Sequence, residues 1–138
     1  MSPASRGPSD ALRRTVSAVP ACVAGLRADA AGYLTAAGVP PELTEAVRLA
    51  VSEAVSNVIL HAYPPDDDPG PVHLVVEVSR GTVHVTVADE GRGMAPRFDS
   101  PGAGLGLPII ANVATRLELG PAGEAGTELR MSFDGLAA

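Results

Sequence analysis

Two residues of unlike chemistry stand four apart in LAVSEAVSNVILHAY (49–63): the carboxylate of Glu53 and the amide of Asn57. At helical pitch they share one face, one turn apart. From Leu49 to Leu60 the only other polar positions are Ser52 and Ser56, so the four form a narrow stripe on an otherwise apolar helix. A glutamate in such surroundings can take a proton from a hydroxyl or water nucleophile. Asparagine offers a neutral carbonyl oxygen, a ligand suited to a hard cation such as Mg²⁺. A capped polar network inside the core would use the same residues, and this helix alone leaves both readings open.

Three further groups lie downstream. The strand TVHVTVAD (82–89) alternates, so Asp89 shares the inward parity of Val83, Val85 and Val87. A carboxylate there accepts hydrogen bonds and cannot donate them, which suits an exocyclic amine such as that of adenine. Asp89 opens the pattern Asp89-x-Gly91-x-Gly93. Its glycines let main chain approach a flat ring, although a plain turn explains them as well. Next, Gly102-Ala103-Gly104-Leu105-Gly106-Leu107 precedes a helical pattern, and free amides at a helix start make an anion site for phosphates. No Lys-Ser/Thr follows, so this is not a P-loop. Ile109 stands where the dinucleotide fingerprint needs its third glycine. Last, Gly126-Thr127 opens the final strand.

The elements that must position these groups follow from periodicity and punctuation. Residues 12–19, LRRTVSAV, form a short edge strand. Helical spacing runs from Val19 to Ala37, where Gly38 and Pro40 stop it. Pro41 starts the helix that carries Glu53 and Asn57 and ends before Pro64-Pro65. The strands 72–79 and 82–89 meet in a tight turn at Arg80-Gly81. LPIIANVATRLE (107–118) reads as a helix with Pro108 in its first turn, and the chain closes with a hairpin of a strand near Leu117–Leu119 and the strand 127–133. The expected class is α+β: a two-layer sandwich, a mostly antiparallel mixed sheet with about three helices packed on one face. Residues 1–10 have the composition of a disordered tail, leaving 11–135 as one domain.

Bulk properties narrow the function classes. A chain of 138 residues with 46% hydrophobic and 19% charged residues is that of one globular domain. Ten Lys and Arg against sixteen Asp and Glu give a net charge of −6, which disfavours nucleic acid as a direct partner. The single cysteine, Cys22, excludes an internal disulfide and a thiolate metal cage. No apolar run reaches the roughly 18 residues of a membrane span. Arg13-Arg14 before TVSAVPACVAG imitates a secretion signal, but Pro20 interrupts it and Arg27 and Asp29 follow, so a cytoplasmic protein is expected. His73 and His84 fall at outward strand positions without clustered partners. The run Asp66-Asp67-Asp68 reads as a solvated loop, and His61, which follows the Asn57 motif and can face the same site, reads first as a structural or solvent-facing residue.

In this order, ExxxN on a helix, DxGxG after a strand, GxGxG before a helix and GT before a strand resemble the GHKL (Bergerat-fold) ATPases. SEAVSNVILHAY is similar to the N box of the anti-sigma-factor serine/threonine kinases of partner-switching systems, and the resemblance covers residues 12–133. It implies that ATP and Mg²⁺ are the cofactors, with Asn57 holding the metal at the phosphates and Glu53 as general base. It also implies that Asp89 binds the adenine amine, Gly91 and Gly93 shape the adenine pocket, Gly104, Leu105 and Gly106 line the phosphates, and Thr127 sits near adenine. A STAS-type anti-anti-sigma protein as substrate, an alternative sigma factor as bound partner, and a homodimer follow from the same resemblance. The lid between Gly93 and Gly102, MAPRFDSP, departs from a cation-rich one, holding Arg97 and no Lys. Neutralising the γ-phosphate then falls to Mg²⁺, Arg97, Arg92 or a partner. Two alternatives remain: an ATP-gated binding regulator without transfer, and a stand-alone histidine-kinase-like ATPase domain.

Overall fold

The computed structural model describes residues 10–91, 110, 113–123 and 125–135. Its elements are β1 (Leu12–Ser17), α1 (Cys22–Ala36), α2 (Pro41–His61), β2 (Pro71–Ser79), β3 (Thr82–Asp89), β4 (Arg116–Pro121) and β5 (Thr127–Phe133). The strands make one sheet in the order β1-β2-β3-β5-β4. All four pairings are antiparallel, and no parallel pair occurs among the described residues. The class is the expected α+β, with an antiparallel sheet in place of a mixed one. Residues 1–9 lie outside the described part.

One sheet face is a row of apolar side chains in register. Leu74 faces Val87, Val76 faces Val85, Val85 faces Met131, and Val87 faces Leu129. All six are buried. Against this face lies α2, through Val47, Ala50, Val51, Ala54, Val55 and Val58, and α1 packs on α2 with Leu26, Ala30 and Leu34 buried. Each fully buried Leu or Val contributes on the order of 1.5–3 kcal/mol relative to exposure, so the sheet face fixes how α2 rotates. That rotation aims Asn57 toward the ends of the central strands.

The local stops are those the residue types dictate. α1 ends in a Schellman arrangement: Gly38 N–H donates to Thr35 O and Val39 N–H to Leu34 O, both at 3.0 Å, with Gly38 at φ 83°. Pro41 occupies the first turn of α2, where its missing N–H costs nothing. Arg80 and Gly81 both have positive φ (54° and 79°), as a two-residue hairpin turn requires. Three boundaries differ from expectation. β1 stops at Ser17 and α1 starts at Cys22, because residues 18–21 form a connecting turn in which Cys22 N–H bonds Val19 O. The third expected helix, 107–118, is shorter at its end: Ile110 and Val113 are helical, but Arg116 already pairs with Ser132 in the sheet. Its first turn lies outside the described residues.

Candidate functional site

A pocket opens between the second half of α2 and the ends of β3, β4 and β5. Ala54, Asn57, Val58 and His61 line it from one face of α2, and Ala62, the residue that caps the helix, lines it as well. Val87 and Asp89 line it from β3, Leu119 from β4, and Thr127 and Leu129 from β5. The walls are mostly apolar and the polar groups few, the usual make-up of a small-molecule site. The fold thus brings together Asn57, Asp89 and Thr127, three residues that stand up to 70 positions apart in sequence (127 minus 57).

Asp89 is the electrostatic centre. It is 6% exposed, and with Thr44 it is one of two buried polar residues among those described. Burial pushes its carboxyl pKa up from the usual value, while the Gly91 and Thr127 amides and nearby His73 pull it part of the way back. Gly91 N–H donates to Oδ1 at 2.9 Å and Thr127 N–H to the same Oδ1 at 3.2 Å. Both described hydrogen bonds therefore fall on one oxygen. A carboxylate desolvated to this extent gains from a further donor.

Two glycines let main chain close around that carboxylate. A Cβ on Gly91 would fall on the Ala62 carbonyl oxygen, just beyond α2. Gly126, at φ 100°, would put a Cβ on the carbonyl oxygen of Asp89. Both obstacles are main chain, so a side chain at either place forces the backbone to move. Gly126 brings the Thr127 amide within reach of Oδ1, a duty that its place at a strand start does not reveal.

Glu53 lies one helical turn before Asn57, half-buried, and is not among the residues lining the pocket. Gly93, Gly104, Leu105 and Gly106, with Arg92 and Arg97, lie outside the described residues. Of the alternatives open for His61, the structure shows the pocket-facing one. It lines the pocket, and its Nε2, like Asn57 Nδ2, is buried without a hydrogen-bond partner among the described residues. Its signal was its spacing, four residues after Asn57 on the same face. His73 stays on the outer face, bonded to Thr15 and Glu90, and His84 is exposed. Among the described residues no group of three or more His, Cys, Asp or Glu could hold a metal ion. No described helix is long and apolar enough to cross a membrane.

The donor set fits a nucleotide. Asp89 offers an acceptor for a ring amine, the apolar walls offer faces for a flat base, and Asn57, which lines the same pocket, has a buried side-chain amide. Mg²⁺ commonly takes one or two protein oxygens and completes its shell with water and phosphate, so a single Asn side chain is an adequate protein contribution.

A model of the histidine kinase-like ATPase domain matches residues 16–133. An anti-sigma F factor of Heyndrickxia coagulans is 37% identical over 93 residues, 59% of this chain and 63% of that protein. One from Bacillus velezensis is 32% identical over 102 residues, 66% of this chain and 68% of the relative. A Geobacillus anti-sigma F factor is 49% identical over 55 residues, only 36% of its length. The chain thus spans from about a third to about two-thirds of the curated relatives it matches. Among solved structures, the RsbU and RsbW domains of a Mycobacterium tuberculosis protein superpose with a TM-score of 0.73 at 22% identity, covering 94% of this chain and 33% of that one. A blue-light activated histidine kinase domain from Erythrobacter litoralis superposes with a TM-score of 0.57 at 32% identity, covering 70% of this chain and 46% of that one. The chain belongs to the histidine kinase-like ATPase (GHKL) family, on the branch that includes the anti-sigma F factors.

Proposed function

We propose that the protein binds ATP with Mg²⁺ in this pocket and is a serine/threonine protein kinase acting as an anti-sigma factor. It phosphorylates a STAS-type anti-anti-sigma protein and sequesters an alternative sigma factor, working in the cytoplasm as a homodimer. The single observation that carries the nucleotide part is Asp89: a buried carboxylate, raised in pKa by desolvation, with one oxygen committed to two main-chain amides inside an apolar slot. The names of the relatives support the choice of partners.

ATP bound through Mg²⁺ supplies the phosphoryl group. Asp89 accepts a hydrogen bond from the adenine amine, and Val58, Ala62, Val87 and Leu129 exclude water from the base. Gly91 leaves room for the ring, Gly93 would shape the same pocket as the family resemblance implies, and Thr127 holds Asp89 through its amide. Asn57 would give its side-chain oxygen to the metal. Gly104, Leu105 and Gly106 would line the phosphates, as the family resemblance implies. Glu53, one turn from Asn57, accepts the proton of the attacking serine or threonine hydroxyl. Switching between two partners needs only that nucleotide state change the affinity for each.

Incubation with γ-labelled ATP and candidate STAS proteins tests this. An acid-stable label on serine or threonine supports transfer, whereas an acid-labile label indicates histidine kinase chemistry. The place of Glu53 outside the pocket lining favours a second reading, an ATP-gated binding regulator that transfers no phosphate. Under that reading Glu53→Ala leaves partner regulation in cells intact while Asp89→Ala abolishes it.

A further inference from the structure

Tyr63 lies two residues beyond the end of α2, half-buried. Its hydroxyl donates to the carbonyl oxygen of Pro71 at 2.6 Å and accepts from the main-chain N–H of Glu90 at 2.8 Å. The strands β2 and β3 pair in register from Ser79 opposite Thr82 to Val72 opposite Asp89. One more rung would set Pro71 against Glu90. Instead of pairing directly, these two main-chain groups each bond the tyrosine oxygen. The ladder is therefore wedged open by a side chain at the place where Asp89 and Gly91 leave the sheet.

The ring has a seat made for it. A Cβ on Gly70 would lie 2.6 Å from the ring Cζ and 2.8 Å from the hydroxyl oxygen, so any larger residue displaces the ring. Ala62, the preceding residue, is the one whose carbonyl packs on Gly91. Burial, reinforced by the Asp89 and Glu90 carboxylates, pushes the Tyr63 pKa up, which keeps the hydroxyl a neutral donor and acceptor. The other hold on Glu90, its 2.7 Å pair with His73, is 62% exposed on the glutamate side, and exposed pairs of this kind hold little.

We propose that Tyr63 is a positioning residue of the adenine site: inserted between Pro71 and Glu90, its hydroxyl diverts the chain so that Asp89 and Gly91 meet the base. The inference rests on the nucleotide reading above. Its first test does not need nucleotide. In Tyr63→Phe the amides of Glu90 and Gly91 should exchange hydrogen roughly tenfold faster, the size of one lost hydrogen bond, while amides in the middle of β3 keep their protection. The second test compares ATP with purine riboside triphosphate, which lacks the ring amine. Tyr63→Phe should weaken ATP about tenfold and the amine-free analogue by less than about twofold, the same single bond being at stake. Gly70→Ala, which keeps the hydroxyl but pushes the ring aside, should show the same selective loss. Unchanged exchange, equal weakening of both nucleotides, or exchange accelerated throughout β2 and β3 would each overturn the positioning role. A wild-type chain that binds neither triphosphate overturns the nucleotide reading and the adenine role with it, whatever the exchange result.

Discussion

Replacing Asp89 with asparagine separates the two energies that meet at this carboxylate. The first is the cost of burial. Because Asp89 titrates above its usual value in the folded chain, the native state binds its proton more tightly than the unfolded state does. Stability contributed by this group is present below the ordinary carboxylate pKa, falls as pH rises through the folded pKa, and stays lost at neutral pH. Asparagine carries no charge and still offers one oxygen to the Gly91 and Thr127 amides. Asp89→Asn should therefore melt at or above the wild-type temperature at pH 7, with that advantage disappearing in acid. The second energy is recognition. With its oxygen turned to the two amides, the asparagine must present an NH₂ group where the carboxylate presented Oδ2, and an NH₂ facing the adenine amine sets donor against donor. Losing a charge-assisted hydrogen bond costs about 1.5–3 kcal/mol, or roughly 10- to 150-fold in Kd. Displacement of a fluorescent ADP analogue by ATP and by ITP, with Mg²⁺ in excess, measures both magnitude and sign. ATP should weaken by that factor, while ITP, whose 6-oxo group accepts a hydrogen bond, should gain. A change of less than about threefold in ATP, well below that range, with an unaltered ATP-to-ITP ratio refutes the adenine assignment. A large fall in melting temperature at pH 7 refutes the burial argument.

Other positions test other parts of the site. Glu53→Gln should lower phosphate transfer about 10²- to 10⁴-fold, the usual share of a general base, with ATP affinity unchanged in the same displacement assay; unchanged transfer would remove Glu53 from the chemistry. Wild-type ATP affinity should fall when EDTA replaces Mg²⁺, and in Asn57→Ala the two conditions should become nearly equal, as read by calorimetry. Gly91→Ala drives a Cβ onto the Ala62 carbonyl and should cost about 1–3 kcal/mol in a denaturant melt, together with ATP binding. Wild-type stability in that variant would show that the turn has slack the structure does not display.

Local patterns carried much of the fold. Strict alternation in 82–89 placed Asp89 on the same face as Val83, Val85 and Val87, and all four are buried. Gly38 marked a helix end because it takes the positive φ that closes the last turn without steric cost, and Pro41 a helix start because its φ is fixed and its missing N–H is not needed there. What local pattern does not contain is the pairing of distant strands. Nothing near Thr127 says that β5 lies beside β3, yet that pairing brings Gly126 and the Thr127 amide against Asp89. The start of α1 was placed three residues early, since apolar spacing continues through Val19 although Pro20 and Ala21 form a turn. Tyr63 was read only as the end of the N-box pattern. Its work depends on Pro71 and Glu90 reaching the end of the ladder together, a relation no window of sequence holds. The glycine run 102–106 and the lid lie outside the described residues, so the phosphate end of the site rests on the family resemblance and on Asn57.

Titration calorimetry of the purified wild-type chain with ADP and with ATP, in the presence of Mg²⁺, asks most directly whether Asn57, Asp89 and Thr127 form one nucleotide site. Saturable heat at one site per chain, removed by Asp89→Ala and absent with GTP, is the expected result. No heat from either adenine nucleotide, or equal heat from GTP, would contradict it.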